Sequence, residues 1–428
     1  MRIGVILISI GTLFLALFLS TGFSYASEID DLRATIDQKN AELAKIEAEI
    51  LSYSKQIEQT GKEADSLKKV LKQLEINKKK LLAEIRATQG KINITNTTIQ
   101  KLNVEIGDKE KRLGQSLAAA EGSIRNVNYL ENSTAVEIFL SNENFSDVWT
   151  DIDNISSFES KLREHIAEIK QLKLNLESSK VQKENEKKKL ISLKTGLSDQ
   201  EKIVQNNQKE KDRLLKETKN REANYQKILA NRLAKKIELE REILEFEGKL
   251  DIAVDPTKLP RVGTGVLSFP LDKIFVTQYF GRTPFATKNP QVYNGMGHNG
   301  VDFRASIGTP VKSAANGRVV GTGNTDTSCY GVSYGKWILV EHPNGLSTLY
   351  AHLDLVKAGT GDAVSSGETI GYSGNTGYST GPHLHFTVYA TQAVHISSPT
   401  EYRSKICGTY MKLPVAPLGG YLNPLSYL

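Results

Sequence analysis

Two histidines separated by one residue are the first feature of this sequence whose residue types and spacing suggest chemistry. They are His383 and His385, directly after a glycine-rich run. Because residues i and i+2 of a β-strand point to the same face, a strand here would place both imidazoles in one site and pack Leu384 and Phe386 behind it. Imidazole ligates metals and carries protons near neutral pH, so the pair suggests one ligand and one acid or base. A purely structural pair is the alternative interpretation.

Three upstream residues could complete such a site. His298 and Asp302 are separated by three residues, and His352 lies in an apolar, strand-like segment. Two histidines and one carboxylate are a common ligand set for catalytic zinc, which keeps a fourth position open for water. His298, Asp302 and His385 would supply this set. His352 and His383 would then remain for proton transfer.

The order of these motifs resembles that of the M23 (lysostaphin/LytM-type) zinc metallopeptidases. That family's motifs are H-x-x-x-D, a lone histidine after an aromatic-Ala pair, and H-x-H, and all three occur here in this order. The resemblance covers roughly residues 265–428. It implies a mainly antiparallel-β domain that binds one zinc ion per chain. It also implies endopeptidase cleavage of the cross-linking peptides of peptidoglycan.

The glycine-rich run before the histidine pair is expected to line the substrate groove. The candidate groove residues are Asn375, Tyr378, Ser379 and Thr380. A turn that only shapes the entry into the strand is an equally weighted alternative.

Two segments depart from the compact M23 pattern, and each contains one of the two cysteines. Cys329 lies in the loop 324–335 and Cys407 in the insertion 391–420. Since exported domains are commonly stabilised by disulfides, we expect a Cys329–Cys407 bond. Zinc ligation by these cysteines is the weaker alternative, because the family's ligand set is complete without them.

Composition divides the chain into two domains of different class. All twelve prolines lie at or after Pro256, whereas the preceding 250 or so residues are dense in Lys, Glu, Leu and Ile, as in long helices. The formal net charge of +6 is modest and both signs are mixed, which argues against a nucleic-acid partner. We expect a signal peptide at 1–26, a helical region at 27–253, a linker at 254–264 and the M23 domain at 265–428.

The first 26 residues are typical of an export signal. An apolar run from Ile3 to Leu19 is followed by small residues at Ser24 and Ala26, which predicts cleavage before Ser27. A retained N-terminal membrane anchor is the alternative, because the run is just short of a membrane span. Either interpretation places the protein outside the cytoplasm, secreted or associated with the cell envelope.

A seven-residue repeat runs from Ile29 to Leu113 and predicts one uninterrupted coiled-coil helix. The repeat breaks at about residues 114–155, where we expect short helices at the tip of a hairpin. A second helical run, from Ser156 to Lys249, would return antiparallel to the first, with an intermolecular coiled coil as the alternative. The dense Lys and Glu residues of both arms are expected to form a solvated face.

An export signal, a coiled-coil hairpin and a C-terminal M23 domain together resemble the murein hydrolase activators of the EnvC type. That resemblance implies an FtsEX-like membrane division complex as a partner of the coiled coil. Members that act purely as activators have lost zinc ligands, whereas this chain keeps all five functional positions. We therefore favour an active peptidoglycan hydrolase with a regulatory coiled coil, used in cell-wall remodelling or cell separation. A catalytically silent module that activates another hydrolase is the alternative.

Overall fold

The computed structural model describes residues 22–60, 66–131, 145–247, 254–281, 297–379, 381–398 and 400–428. Most of the expected signal peptide, residues 1–21, lies outside the described residues, and so does Thr380. Within the described ranges, every helix is too short or too polar to cross a membrane.

Four long helices make up the described N-terminal residues: α1 (Gly22–Thr60), α2 (Leu67–Glu131), α3 (Phe145–Thr218) and α4 (Glu222–Glu247). The prediction of one uninterrupted helix from Ile29 to Leu113 is wrong, because α1 ends and α2 begins within that range. Ser66 supplies a local start signal, since its Oγ accepts a hydrogen bond from the backbone N–H of Lys69 at 3.3 Å. An ion pair of 2.8 Å joins Glu49 to Arg86, so α1 and α2 run antiparallel.

The expected short helices at the hairpin tip are also absent from the described part of that region. Helix α2 continues through Gly114 and Gly122 to Glu131, and α3 begins at Phe145. Residues 132–144 lie outside the described part. The second arm is divided at Lys219 and Asn220, whose positive φ angles of 48° and 55° end α3.

The chain forms two compact units, each of which contains parts of these helices. The first unit comprises the described residues up to Lys45 together with Ala87–Gly196. In it, Lys109 Nζ lies 2.7 Å from Ser179 Oγ and Lys180 Nζ lies 2.9 Å from a Glu110 carboxylate oxygen, so α2 contacts α3 here. The buried residues of α2 here include members of the heptad repeat: Ile92, Leu102 and Ile106.

The second unit comprises Ile46–Arg86 and Leu197–Leu428. It therefore contains the end of α1, the beginning of α2, the end of α3, all of α4 and the C-terminal domain. Lys211 pairs with Glu75 at 2.6 Å, and Lys78 Nζ lies 2.9 Å from Gln208 Oε1. Because the contacts advance along α2 as they go back along α3, the two helices run antiparallel in this unit.

The C-terminal domain is built on an antiparallel sheet whose main path runs β1-β2-β9-β6-β5-β4-β7. In addition, β12 pairs with β9, β8 pairs with β3 and β6, and β10 pairs with β11 as a separate ribbon. The strands are β1 Val276–Gln278, β2 Val301–Arg304, β3 Pro310–Lys312, β4 Gly317–Asn324, β5 Lys336–Glu341, β6 Leu346–Val356, β7 Ala363–Val364, β8 Thr369–Ser373, β9 His383–Ala390, β10 His395–Ile396, β11 Pro414–Val415 and β12 Tyr421–Leu422. The predicted fold class, an all-α N-terminal region followed by a mainly antiparallel-β domain, is confirmed, with four long helices in the described N-terminal residues.

Strand β9 lies at the centre of this sheet, and its two faces have different roles. Leu384, Phe386 and Val388 are fully buried in the apolar core. The alternate residues His383 and His385 therefore face the other side. The core beneath the sheet thus fixes the orientation of both histidines.

Candidate metal-dependent active site

The residues expected to bind metal come together on the face of the sheet opposite the core. In the register of β2 with β9, Asp302 lies directly opposite His385, and His298 lies three residues before Val301, the first residue of β2. His298 Nε2 lies 3.0 Å from His385 Nδ1 and 3.3 Å from Asp302 Oδ1. His385 Nδ1 lies 2.9 Å from the same carboxylate oxygen. All three side chains are buried, and their donor atoms converge on one point.

This geometry fits a tetrahedral zinc ion. With zinc–ligand distances of about 2.0–2.1 Å, neighbouring ligand atoms of a tetrahedral site lie about 3.3 Å apart. The three separations above are within about 0.4 Å of that value. Two neutral imidazoles and one carboxylate are also the donor set of known catalytic zinc sites, which leave one position open.

Neighbouring groups orient the two candidate histidine ligands. The Nδ1–H of His298 donates to the carbonyl of Tyr279 at 3.1 Å, which leaves Nε2 to bind metal. His385 has Nε2 2.9 Å from Thr387 Oγ1 and would bind through Nδ1. Thr387 was not identified from the sequence. Its position could have indicated the contact, because a residue two positions beyond His385 on a strand lies on the same face.

Gly300 permits β2 to approach β9 closely enough to form this site. A Cβ at this position would lie 2.6 Å from the carbonyl oxygen of Phe386 and 2.8 Å from Cε1 of His385. Such distances are shorter than van der Waals contact, so a larger residue would push Asp302 away from His385.

His352 and His383 lie beside the three candidate ligands. Their ring centroids are 4.7 Å apart, and the His352 ring lies 5.8 Å from that of His385. The Nδ1–H of His352 donates to the carbonyl of Thr376, and that of His383 donates to the carbonyl of Gly381, each at 2.8 Å. Each imidazole therefore has Nε2 as its proton-accepting nitrogen.

His352 has a backbone conformation unusual for a strand residue. Its φ angle is 58°, in the left-handed region that costs a non-glycine residue roughly 1–2 kcal/mol. It lies at an irregularity in the pairing of β5 with β6, and its N–H donates to the carbonyl of Tyr334 at 2.9 Å. Such strain concentrates where a side chain must be aimed at a functional site.

The electrostatics of the cluster keep the carboxylate ionised and two imidazoles neutral. Burial opposes ionisation of Asp302, but His298 and His383 outweigh it and hold its pKa well below the usual range. Burial lowers the pKa of His385 to about 4. Burial, with the neighbouring His383 and His385, also holds the pKa of His352 well below its usual value. At neutral pH, His385 can therefore ligate a metal and His352 can accept a proton.

The candidate groove residues occupy different positions. Tyr378 and Ser379 line a cavity of about 1140 Å³ that also contains the three candidate ligands and both further histidines. Ser379 Oγ lies 3.0 Å from His383 Nδ1. Asn375, in contrast, is exposed and does not line this cavity. Thr380 lies outside the described residues.

Helices of the same unit also line this cavity, which the sequence did not reveal. Lys236 of α4 is only 9% exposed, and its Nζ lies 3.8 Å from the centroid of the Tyr378 ring. One turn later, Glu240 reaches the same cavity and pairs with Lys236 at 3.6 Å. Burial raises the pKa of Glu240 to about 7, although Lys236 and His298 oppose this. The expectation that such residues form only a solvated face is therefore wrong for α4.

Helix α4 is attached to the domain beside a disulfide. Cys329 and Cys407 are bonded, with their Cα atoms 5.5 Å apart. Around this bond, the fully buried Leu239 of α4 packs in one apolar cluster with Tyr402 and Met411. The two loops that contain the cysteines therefore form the surface on which α4 lies.

The sheet presents two histidines and a carboxylate that could hold a metal ion, with two more histidines beside them. Residues 296–397 match the model of Peptidase family M23. The C-terminal domain is therefore an M23 peptidase domain.

Similar proteins match this chain in the same part. An uncharacterized metalloprotease of Buchnera aphidicola is 34% identical over 142 residues, which are 33% of this chain and 35% of the relative. The peptidoglycan DD-endopeptidase ShyA of Vibrio cholerae is 44% identical over 89 residues, 21% of this chain and 19% of the relative. The solved catalytic domain of lysostaphin from Staphylococcus simulans is 29% identical, with 36% of this chain and 90% of that domain covered and a TM-score of 0.25. The chain thus spans only about a fifth to a third of these two full-length relatives.

Proposed function

We propose that this protein is a zinc-dependent endopeptidase that cleaves the cross-linking peptides of peptidoglycan during cell-wall remodelling or cell separation. The observation that carries the proposal is the convergence of His298, Asp302 and His385 at zinc-ligand distances, with His352 and His383 adjacent. A relative named as a peptidoglycan DD-endopeptidase supports the substrate class.

In this mechanism, each residue of the site has a separate task. His298, Asp302 and His385 would hold zinc, which polarises the scissile carbonyl and makes water a stronger nucleophile at neutral pH. His352 and His383 would accept the proton of the attacking water at Nε2 and return it to the leaving amine nitrogen. Tyr378 and Ser379 would border the bound peptide.

We further propose that the helices regulate this site by covering it. Lys236 and Glu240 of α4 and Lys80 and Glu84 of α2 line the same cavity as the candidate ligands. A peptide could not lie against Tyr378 while the Lys236 ammonium occupies the face of its ring at 3.8 Å. In this proposal, displacement of α4 exposes the groove.

One pair of substitutions on α4 tests the covering role. Leu239 is fully buried against the domain, whereas Leu233 on the same helix is 38% exposed. Leu239→Glu places a charge in the apolar cluster and should release α4, while Leu233→Glu is the matched control. We expect full-length Leu239→Glu protein to degrade peptidoglycan at least tenfold faster than wild type, with Leu233→Glu unchanged. Equal rates for all three proteins would exclude the covering role.

The catalytic proposal is tested with the same proteins, zinc and purified peptidoglycan, by mass spectrometry of the released peptides. His298→Ala should abolish both bound zinc and peptide release, in wild type and in Leu239→Glu. His395→Ala is the control, because His395 pairs with Glu401 at 2.7 Å, outside the cavity. Failure of both wild type and Leu239→Glu to release peptides from several wall types would favour the alternative, a silent module that activates another hydrolase.

The substrate class also supports a location outside the cytoplasm, where peptidoglycan lies. The export signal expected at residues 1–26 would place the protein there, either secreted or anchored. An FtsEX-like membrane complex as the partner that displaces the helices remains a prediction from the EnvC-type resemblance. Binding of the full-length protein to such a complex, measured with and without Leu239→Glu, would test it.

A further inference from the structure

The peptide group between Thr376 and Gly377 is hydrogen-bonded at both ends. Its carbonyl accepts from the Nδ1–H of His352 at 2.8 Å, and its N–H donates to Oδ2 of Asp326 at 2.9 Å. Because the C=O and N–H of a trans peptide group point in opposite directions, the imidazole and the carboxylate lie on opposite sides of this one group. A continuous line of hydrogen bonds therefore joins Asp326 to His352, one of the two histidines proposed to transfer protons.

Gly377 makes this arrangement possible. Its φ angle is 68°, in the left-handed region, and a Cβ there would collide with the backbone nitrogen of Gly335 and the carbonyl oxygen of Ser333. Only glycine fits such a close approach. The loop that contains Gly377 can thus lie directly against the loop 324–335, which carries Asp326 and departs from the compact M23 pattern.

The surroundings of Asp326 suit a carboxylate that acts through a neighbour. Besides Gly377, the N–H of Gly331 donates to it, at 2.7 Å from Oδ1. Burial raises the pKa of Asp326 and Glu210 raises it further, whereas the two N–H groups and Arg213 lower it. A carboxylate that accepts two backbone N–H groups is stabilised in its charged form. Asp326 does not line the cavity of the candidate active site, so it would act on the reaction only through other residues.

Other hydrogen bonds hold the loop in place independently of this carboxylate. Thr376 Oγ1 donates to the carbonyl of Leu353 at 2.8 Å and accepts from the N–H of Lys336 at 3.0 Å. Further along the loop, the N–H of Tyr378 donates to the carbonyl of Ser333 at 2.9 Å. The carboxylate therefore adds mainly its negative charge, at the N–H end of the peptide group.

We propose that Asp326 is a positioning residue for proton transfer, and that it acts on His352 through the Thr376–Gly377 peptide group. Linked hydrogen bonds polarise one another, so a negative charge at the N–H of Gly377 makes the carbonyl of Thr376 a stronger acceptor. A stronger acceptor holds the proton of His352 on Nδ1 and makes Nε2 a better base. The proton of the attacking water is taken up and returned at Nε2, and Asp326 stays ionised throughout. This inference rests on the proposed endopeptidase function and adds a residue to its proton-transfer step.

The test compares variants that remove the charge of Asp326 with variants that leave it in place. Asp326→Asn keeps the size of the side chain, while Asp326→Ala removes both of its hydrogen bonds. Asp362→Asn is the matched control, because Asp362 also accepts the N–H of a glycine, Gly359, at 2.7 Å and lies outside the cavity. Cys329→Ser/Cys407→Ser is a second control, because it loosens the loop 324–335 without removing the carboxylate.

Values of kcat and KM are measured with soluble cross-linked muropeptides for the zinc-loaded full-length protein, with and without Leu239→Glu. A hydrogen bond to a charged group contributes about 10- to 100-fold, and since this one acts through a peptide group, Asp326→Asn and Asp326→Ala should lower kcat by about 10-fold. Zinc content should stay constant and KM should change less than about twofold, because Ser333 holds the groove residue Tyr378 separately.

In the Leu239→Glu background, where α4 is already displaced, both controls should keep the kcat of their parent. An unchanged kcat in Asp326→Asn would overturn the role of Asp326 while leaving the endopeptidase intact. So would a loss of kcat that the cysteine variant shares, since the loop as a whole would then be responsible.

Nuclear magnetic resonance of the metal-free full-length proteins, with isotope-labelled histidine, makes the same comparison without turnover. The Nδ1–H of His352, identified by its loss in His352→Gln, should give a low-field proton signal because the carbonyl of Thr376 holds it. Asp326→Asn should move this signal to higher field and speed its exchange with water, while both controls leave it unchanged. This result would support the role of Asp326 even if no peptide is cleaved, in which case only the endopeptidase fails. A signal that stays the same in Asp326→Asn, moves equally in the controls or is missing from wild type would overturn that role whatever the cleavage result.

Discussion

The second unit contains two kinds of apolar core: one lies within the C-terminal domain, and the other joins helices to that domain. The core beneath the sheet is formed entirely by residues of the C-terminal domain, from Leu259 to Leu428. Two other clusters join helices to the domain through fewer residues, such as Leu81 and Ile203 against Ile307, or Leu239 against Met411. Because burial of one large apolar side chain contributes about 1.5–3 kcal/mol, the sheet is held far more strongly than the helices that cover it. The active-site sheet should therefore survive displacement of the helices.

Substitution of the two histidines that are not candidate ligands should have the largest effect. Because both lie beside the ligand cluster and their Nδ1–H groups are held by carbonyls, we expect His352→Ala and His383→Ala each to lower kcat by about 10²- to 10⁴-fold, the usual contribution of general acid–base catalysis. Bound zinc should stay near one ion per chain, and the melting temperature should change little. Turnover of Leu239→Glu protein, zinc analysis and thermal unfolding are the measurements.

His298→Ala provides the contrast for this prediction, because it should lose zinc as well as activity. Loss of zinc from His352→Ala or His383→Ala would show that these residues are ligands. The proposed division between metal-binding and proton-transferring histidines would then be wrong.

Removal of the disulfide should weaken the attachment of α4 and leave the sheet of the C-terminal domain intact. The bond closes a sequence separation of 78 residues, for which chain entropy gives a stabilisation of roughly 2–5 kcal/mol. In Cys329→Ser/Cys407→Ser protein, we expect a lower melting temperature and a more mobile α4, with zinc content unchanged. Reductant should shift wild type to the same melting temperature and leave the double variant unaffected. Loss of zinc from the double variant would mean that the candidate metal site depends on the surface to which α4 is attached.

The two regions also differ in how far the sequence predicted them. His383 and His385 are two positions apart, and strand geometry alone predicts that such residues share a face. The structure places both on one face of the sheet. The heptad repeat correctly indicated helices, but a repeat does not identify which partner covers it, and local signals at Ser66, Lys219 and Asn220 determined where the helices end.

Contacts between segments distant in the sequence could not be predicted in this way. Lys236 and Tyr378 are separated by 142 residues (378 − 236), and a lysine on a polar helix has no local feature that indicates burial. The stacking of Arg304 on the Phe275 ring, at 4.0 Å, has the same difficulty, since neither residue has a local feature that indicates the contact.

Tyr330, in the loop 324–335, should contribute to attachment of the helices more weakly than the disulfide does. The Tyr330 ring lies 3.6 Å from the guanidinium carbon of Arg213 and 4.8 Å from that of Arg232, on α3 and α4. Two partly exposed cation–π contacts give about 1–2 kcal/mol. Tyr330→Ala should therefore speed amide exchange in residues 197–247 by about 5- to 30-fold, while exchange in β2, β6 and β9 stays slow. Tyr410→Ala is the matched control, because Tyr410 is similarly exposed and its cation–π partner is Arg403, 5.9 Å away.

The smallest effect expected is a pH dependence of α4 attachment through Glu247. This residue is 4% exposed, and its carboxylate accepts a hydrogen bond of 2.6 Å from the Tyr421 hydroxyl. Burial raises its pKa to about 7, although the hydrogen bonds from Tyr421 and the Ala416 N–H oppose this. An acid whose pKa is higher in the folded state binds more protons when folded, so folding loses stability as pH rises from about 4.5 to about 7.

Between pH 6 and pH 7 this loss amounts to about 1 kcal/mol for Glu247, or about 2–4 °C in melting temperature. Glu247→Gln keeps a hydrogen-bond acceptor for Tyr421 but cannot ionise, so its melting temperature should fall less over this interval than that of wild type. Glu240, whose pKa is also raised to about 7, remains in the variant and retains part of the dependence. Glu238→Gln is the control, because Glu238 lies on the same helix and pairs with Arg241 at the surface. If the melting temperatures of Glu247→Gln and wild type fall equally, ionisation of Glu247 does not influence the attachment of α4.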